Sequence, residues 1–200
     1  AHQVKVEVID ADLADPSAPA KVFAEAERRG LAIDFLVNNA GFGSSGPFLD
    51  QPVGREADMV EVNCNALLKL SHLFGEGMRR RRFGRILNIA STAGFQAGPY
   101  MATYFATKNF VLAFSEALAY ELAPSGVSVT AHCPGATASE FAATAGNDKS
   151  RLFQQGLVAS SDEVAADAYA AMMAGKVLAV HGWLNAITAR CRKHSTSCRN

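Results

Sequence analysis

Apolar and polar residues recur in two rhythms along this 200-residue chain, and the rhythms predict its elements in turn. Val4, Val6 and Val8 alternate with Lys5 and Glu7 and are followed by Ile9, a period of two that predicts a short strand. Asp15-Pro16 has the form of a helix cap with proline at the first helical position. Residues 17–30 then carry Val22, Phe23 and Ala26 at helical spacing, with Gly30 as the stop. Ile33 to Val37 is a buried strand by composition. Residues 55–80 place Met59, Val62, Ala66, Leu70 and Phe74 on one helical stripe, and Arg79 to Arg82 suit its C-terminal dipole. Arg85 to Ala90 is the next strand, 101–122 a second long amphipathic helix ended by Pro124 and Gly126, and Val127 to Ala131 a strand. A helix over 162–174 and a strand from Lys176 to Val180 complete the series.

Strands alternating with helices along the whole chain predict a parallel sheet with helices on both faces. No internal repeat or linker divides the chain, so residues 1–200 are expected to form a single domain. Two segments stand apart. Residues 136–161, rich in Ala, Gly, Ser and polar residues, are expected to be a mobile substrate loop, and 190–200 a basic, solvated tail.

Composition narrows the function classes. Apolar residues at 49% and charged residues at 19% are enough for a core and exclude global disorder. Nineteen basic residues balance nineteen acidic ones, which argues against a nucleic-acid partner. No run approaches the ~18 apolar residues of a membrane helix, so no membrane partner is expected. The first residues lack the apolar core of a signal peptide, and a cytoplasmic location is expected. Methionine removal or an incomplete sequence would each explain the start at Ala1. Cys64, Cys133, Cys191 and Cys198 form no C-x-x-C pair and fit no zinc spacing. Reduced thiols and no metal are the expectation, with a Cys191–Cys198 bridge as the alternative. His132 is read as a packed strand histidine.

Chemistry is expected where parallel strands end. Strand 33–37 runs into Asn38-Asn39-Ala40-Gly41, strand 85–90 into Ser91-Thr92-Ala93-Gly94, and strand 127–131 towards Pro134-Gly135. Tyr104 and Lys108 are four apart and share a helix face. An ammonium near a phenol lowers a pKa that starts near 10 and fits the phenol to pass a proton at neutral pH. Ser91 lies thirteen residues before Tyr104, at a strand end. Phe42, Phe95, Met101 and Phe141 are candidate walls of an apolar substrate pocket, with ordinary core as the alternative for each.

Ser91 with Tyr104-x-x-x-Lys108 resembles the short-chain dehydrogenase/reductase family. The likeness runs from about residue 4 to about residue 180. It takes in Asp12-Leu13, Asn38-Asn39-Ala40-Gly41, Asn63 within Val-Asn-Cys-Asn, Gly84 to Ser91, and Cys133-Pro134-Gly135, in the family's order and spacing. The resemblance implies a Rossmann-like, doubly wound α/β fold and hydride transfer between NAD or NADP and a small-molecule carbonyl or secondary alcohol. It implies Tyr104 as general acid or base, Lys108 lowering its pKa and holding the nicotinamide ribose, and Ser91 on the substrate oxygen. Asn63 would hold a water linking Lys108 to solvent. Asp12 and Leu13 would lie by the adenine, Asn38, Asn39, Ala40 and Gly41 would shape its pocket, and Pro134, Gly135, Thr137 and Ser139 would serve the carboxamide side. The family's helices corresponding to 55–80 and 101–122 pair with their copies, so a homodimer or homotetramer is implied.

The chain departs from the family at its start. The family opens with a strand, a Gly-rich turn that cradles the pyrophosphate, a helix and a second strand, and its sheet order is 3-2-1-4-5-6-7. This sequence starts at what would be the third strand, so the fold is expected to be truncated at the N-terminus by one βαβ unit of roughly 30 residues or more. Weak or absent cofactor binding, and an exposed edge beside 33–37 that segment 4–9 or a partner could fill, are the expected results. Gly41-x-Gly43-x-x-Gly46 imitates the missing turn, but a true fingerprint opens a helix, and here Pro47 and Pro52 interrupt the stretch after the last glycine. Two alternatives stay open: a cofactor-independent hydrolase using Ser91, Tyr104 and Lys108, and a non-catalytic remnant.

Overall fold

The computed structural model describes residues 4–138, 158–187 and 189. Four strands form a parallel sheet: β1 (Phe35–Asn38), β2 (Gly84–Ile89), β3 (Val127–Cys133) and β6 (Leu178–Val180), in the order β1-β2-β3-β6. The register pairs Phe35 with Arg85, Gly84 with Val127 and Ala131 with Leu178. Two further short strands, β4 (Thr137–Ala138) and β5 (Ala159–Ser160), pair in parallel and stitch together the two ends of segment 136–161. The rest of that segment and the tail 190–200, with Cys191 and Cys198, lie outside the described residues.

Helix α1 (Ala18–Arg28) is capped two residues later than Asp15-Pro16 suggests. Asp15 accepts from the backbone and hydroxyl of Ser17 and pairs with Lys21, so it braces the turn ahead of the helix. The predicted helix 55–80 is α2 (Val53–Val60), a π-helical stretch (Glu61–Ala66) and α3 (Leu67–Arg81) in one run. α4 (Ala102–Leu122) buries Tyr104, Lys108, Val111, Leu112, Ser115 and Ala119 on one stripe, spaced three and four residues apart. α5 (Ser161–Met173) starts at a capping box between Ser160 and Glu163.

Strand alternation sorts the two faces. Ile86 of β2 and Val127, Val129, Ala131 and Cys133 of β3 pack with α3 and α4, through Met78, Leu67, Val111, Leu112 and Ala119. Leu87 and Ile89 face the other way, against Ala168 and Met172 of α5. Helices on both faces of a parallel sheet bear out the doubly wound α/β expectation. Between β1, β2 and the helices runs a buried amide chain. Asn38 donates to Asn88 Oδ1 (2.8 Å) and Ser71 Oγ (3.0 Å), and Asn88 donates to Ser115 Oγ (2.8 Å). Both amide nitrogens are met, while Asn38 Oδ1 is buried without a partner among the described residues.

The predicted strand at 4–9 does not form. Val4, Val6 and Val8 are 70–75% exposed, and the segment is tied to the rest of the fold through Arg29, which donates to Val8 O (3.2 Å) and pairs with Glu7. A period of two is satisfied only where a neighbouring strand offers its ladder, and among the described residues none lies beside this one. For the same reason β1 is an edge strand rather than a buried one: Phe35 is 45% and Val37 50% exposed.

Candidate active site

Three strand ends and the first two turns of α4 build the site. Ser91 follows β2 directly, with extended backbone, and its Oγ accepts from Ala93 N (3.1 Å) at the mouth of a short 3₁₀ turn, Thr92–Phe95. Thr92 N donates to Pro134 O (3.0 Å), which ties this turn to the end of β3. The Ser91 side chain also lies beside Tyr104, whose pKa it holds down. Gly94 lets α4 come close: a Cβ there would sit 2.8 Å from the Lys108 carbonyl oxygen.

Lys108 lies deep in this corner. Its Nζ donates to Ile89 O (2.8 Å) and sits 5.9 Å from the centroid of the Tyr104 ring. Burial lowers its pKa to about 8, an effect the Cys64 and Cys133 thiols partly oppose. Burial also raises the Tyr104 pKa, and the neighbouring Ser91 side chain only reduces that rise. The spacing-based expectation of a lowered phenol pKa therefore does not hold in this structure. The ammonium is committed to the Ile89 carbonyl and lies over the ring, so desolvation dominates.

Asn63 stands in the π-helical stretch, a backbone irregularity common at functional sites. Its Nδ2 donates to Phe42 O (2.9 Å) and Thr107 Oγ1 (3.0 Å), and its Oδ1 accepts from Phe42 N (3.1 Å). The side chain thus clamps segment 41–43 to α4. Gly41 closes the group: a Cβ on it would meet Asn63 Oδ1 at 3.0 Å and Lys108 Nζ at 3.6 Å.

The G-x-G-x-x-G stretch is no phosphate cradle. The Phe42 amide is taken by Asn63, the Gly46 amide donates to Tyr100 O, and Ser44 is hydrogen-bonded to the buried carboxylate of Glu56. Of the expected pocket walls, Phe42 and Met101 pack around Tyr104 with Phe105 and Met59. Phe95 packs instead against the core formed by Leu67, Ala90, Val111 and Leu112. Asn38 is turned into the core, while Asn39, Ala40 and Gly41 are exposed. Asp12, exposed, accepts from Ala14 N (2.9 Å); Leu13 is half-buried. Pro134 and Gly135 are half-buried at the end of β3, and Thr137 donates to Gly135 O (3.2 Å). Ser139 and Phe141 lie outside the described residues. Sequence reasoning missed Thr107, whose signal is its place three residues after Tyr104, and the buried Ser44–Glu56 pair, which has none.

The short chain dehydrogenase family model matches residues 1–150. The chain is 35% identical over 129 residues to the acetoacetyl-CoA reductase of Paracoccus denitrificans, covering 64% of this chain and 53% of that protein. It is 40% identical over 102 residues to the very-long-chain 3-oxoacyl-CoA reductase of Pyrenophora tritici-repentis, covering 50% and 30%. A solved short-chain dehydrogenase from Sphingobium yanoikuyae, in complex with NADPH, superposes with a TM-score of 0.82 at 31% identity, over 98% of this chain and 77% of that one. A parallel α/β sheet with this corner at its strand ends is the arrangement in which doubly wound folds place their ligand sites. The chain belongs to the short-chain dehydrogenase family. It spans about half the length of the curated relatives it matches. Among the described residues no helix is long and apolar enough to cross a membrane.

Proposed function

We propose that this protein is an NAD(P)-dependent oxidoreductase acting on the carbonyl or secondary alcohol of an apolar small molecule. The observation that carries the reading is the placing of Ser91 beside Tyr104 at the end of β2, backed by the buried Lys108 amine that donates to Ile89 O. The names of the Paracoccus and Pyrenophora relatives favour 3-oxoacyl thioesters as the substrate class. The reductase relatives lend no support to the hydrolase alternative.

The residues fit the nicotinamide half of the cofactor. Lys108 has three N–H donors and uses one on Ile89 O, which leaves donors for ribose hydroxyls. A bound nicotinamide cofactor supplies the hydride in reduction and accepts it in oxidation. The Tyr104 hydroxyl, kept protonated by burial, gives its proton to the substrate oxygen in the reductive direction. Ser91 Oγ steadies the charge that develops on that oxygen. Lys108 offsets the phenolate that remains, and Asn63 and Thr107 hold the loop and helix at fixed separation. The pyrophosphate end has no such fit among the described residues, since no Gly-rich turn opens a helix there. Affinity of residues 1–200 for NAD(P)H is therefore expected to be weak.

The helix faces around Leu68 and Phe110 support a homodimer. Both side chains are more than a third exposed, and the Phe110 and Phe114 rings stack at 5.7 Å. Leu67, by contrast, is core. The test of the reading is a thermal-shift titration with NADPH and NADH from micromolar to millimolar, paired with acetoacetyl-CoA-dependent loss of NADPH absorbance. Saturable stabilisation with turnover supports the reading, and stabilisation by neither nucleotide at millimolar concentration overturns it.

A further inference from the structure

The opposite face of the sheet gathers three metal-ligating side chains that the oxidoreductase chemistry does not use. His132 is near the end of β3 and fully buried, Asp167 lies on α5, and His181 follows β6 directly. His132 Nε2 is 2.9 Å from Asp167 Oδ2, and His181 Nδ1 is 3.2 Å from the same oxygen. One ligand atom from each residue falls within 4.8 Å of the others.

We propose that His132, Asp167 and His181 form a binding site for a divalent transition-metal ion of the zinc class. Metal–ligand bonds of ~2.0–2.1 Å in a tetrahedron put neighbouring ligand atoms ~3.3 Å apart. The two contacts to Asp167 at 2.9 and 3.2 Å are close to that edge length, and the two histidine nitrogens lie within 4.8 Å of each other, so drawing the imidazoles together is the movement that coordination requires. Two imidazoles and one carboxylate are a donor set that suits zinc and its neighbours rather than magnesium or calcium. Access is open from one side, because the Asp167 side chain is 46% and that of His181 22% exposed. Solvent water can then complete the shell.

Such an ion would join three elements that otherwise meet through few bonds. β6 pairs with β3 over only three residues, and His181 N donates to Cys133 O (3.1 Å) at the end of that ladder. A metal at the junction would hold α5, β3 and β6 together directly beneath the Pro134–Gly135 turn. The sequence hides this site, because its ligands lie 35 and 14 residues apart and match no local spacing.

The experiment uses the chain with Cys191 and Cys198 replaced by serine, which leaves only the buried thiols of Cys64 and Cys133. Chelator-treated protein is titrated with ZnCl₂ against a chromophoric indicator, and separately with CoCl₂ while visible absorption is recorded. His181→Ala and Asp167→Asn are compared with it, both at partly exposed positions and both checked for folding by circular dichroism. The expected result is one zinc per chain, bound at least tenfold more tightly than in either variant, with cobalt d–d bands that the variants lack. Zinc affinity within a factor of two of the folded variants, or no stoichiometric binding at all, overturns the proposal and leaves the trio as a hydrogen-bonded strut.

Discussion

Lys108 Nζ donates to the Ile89 carbonyl at 2.8 Å, so the last residue of β2 and the second turn of α4 share one proton donor. The bond explains how an amine can remain inside the protein, and it sets the first prediction. The folded pKa of Lys108 is about 8, against an ordinary value of 10.5. Between these values the unfolded chain holds more protons than the folded one, so this group makes stability rise with pH. Below pH 8 both states are protonated and the burial penalty is at its full size. Cys64 acts in the opposite sense: burial raises it from 9.0 to about 11, so above pH 9 the unfolded chain loses a proton that the folded chain keeps. Urea unfolding should therefore show stability rising from about pH 8 to about pH 9 and levelling above. Lys108→Met should abolish the rise, and Cys64→Ala should extend it towards pH 10.

Tyr104→Phe removes the hydroxyl proposed to exchange a proton with a substrate oxygen at Ser91. Loss of general acid–base help should lower kcat by roughly 10²–10⁴-fold. The ring stays packed against Met59 and Ala93, so the melting temperature should change little. NADPH-dependent reduction at millimolar cofactor is the measurement, and an unchanged kcat in a folded variant would move the chemistry elsewhere.

Gly94→Ala should be costly out of proportion to its size. The added methyl would sit 2.8 Å from the Lys108 carbonyl oxygen and 3.5 Å from Leu112 Cβ, neither of which is a flexible side-chain end. Overpacking of this kind costs about 1–3 kcal/mol. Because α4 must shift to admit the methyl, activity should fall together with the urea midpoint.

Phe110→Glu tests the assembly. A charge on the exposed α4 face should shift a dimer towards monomer in light scattering across a dilution series. A wild-type chain that is monomeric at every concentration would contradict the proposed interface.

Local pattern located most elements, because amphipathic stripes such as the buried face of α4 and the buried β2 and β3 strands bury what their periodicity says they bury. Segment 4–9 failed for a reason outside itself, since a strand exists only through its neighbour. The Ser91, Tyr104 and Lys108 corner was legible because its members sit at fixed offsets around one strand end. Its electrostatics were not. Spacing puts Lys108 near Tyr104, but only the packed structure shows the amine turned to Ile89 and burial outweighing charge. The His132–Asp167–His181 trio was invisible for a related reason: its ligands converge only after three separate elements have docked.

The parallel ladder also has a kinetic consequence. Each strand pairing closes a span of similar length: Phe35 with Arg85, Gly84 with Val127, and Ala131 with Leu178. Closure entropy grows only with the logarithm of the span, so it hardly distinguishes the three events. What differs is the reward. Joining β2 to β3 around α4 brings Ile86, Val127, Val129 and Ala119 into one cluster, whereas β1 leaves Phe35 and Val37 half in water and β6 adds three residues. The β2–α4–β3 unit is therefore where the folding barrier is expected to be crossed. Core-truncating substitutions there should slow refolding, while those in β1 and β6 should mainly speed unfolding.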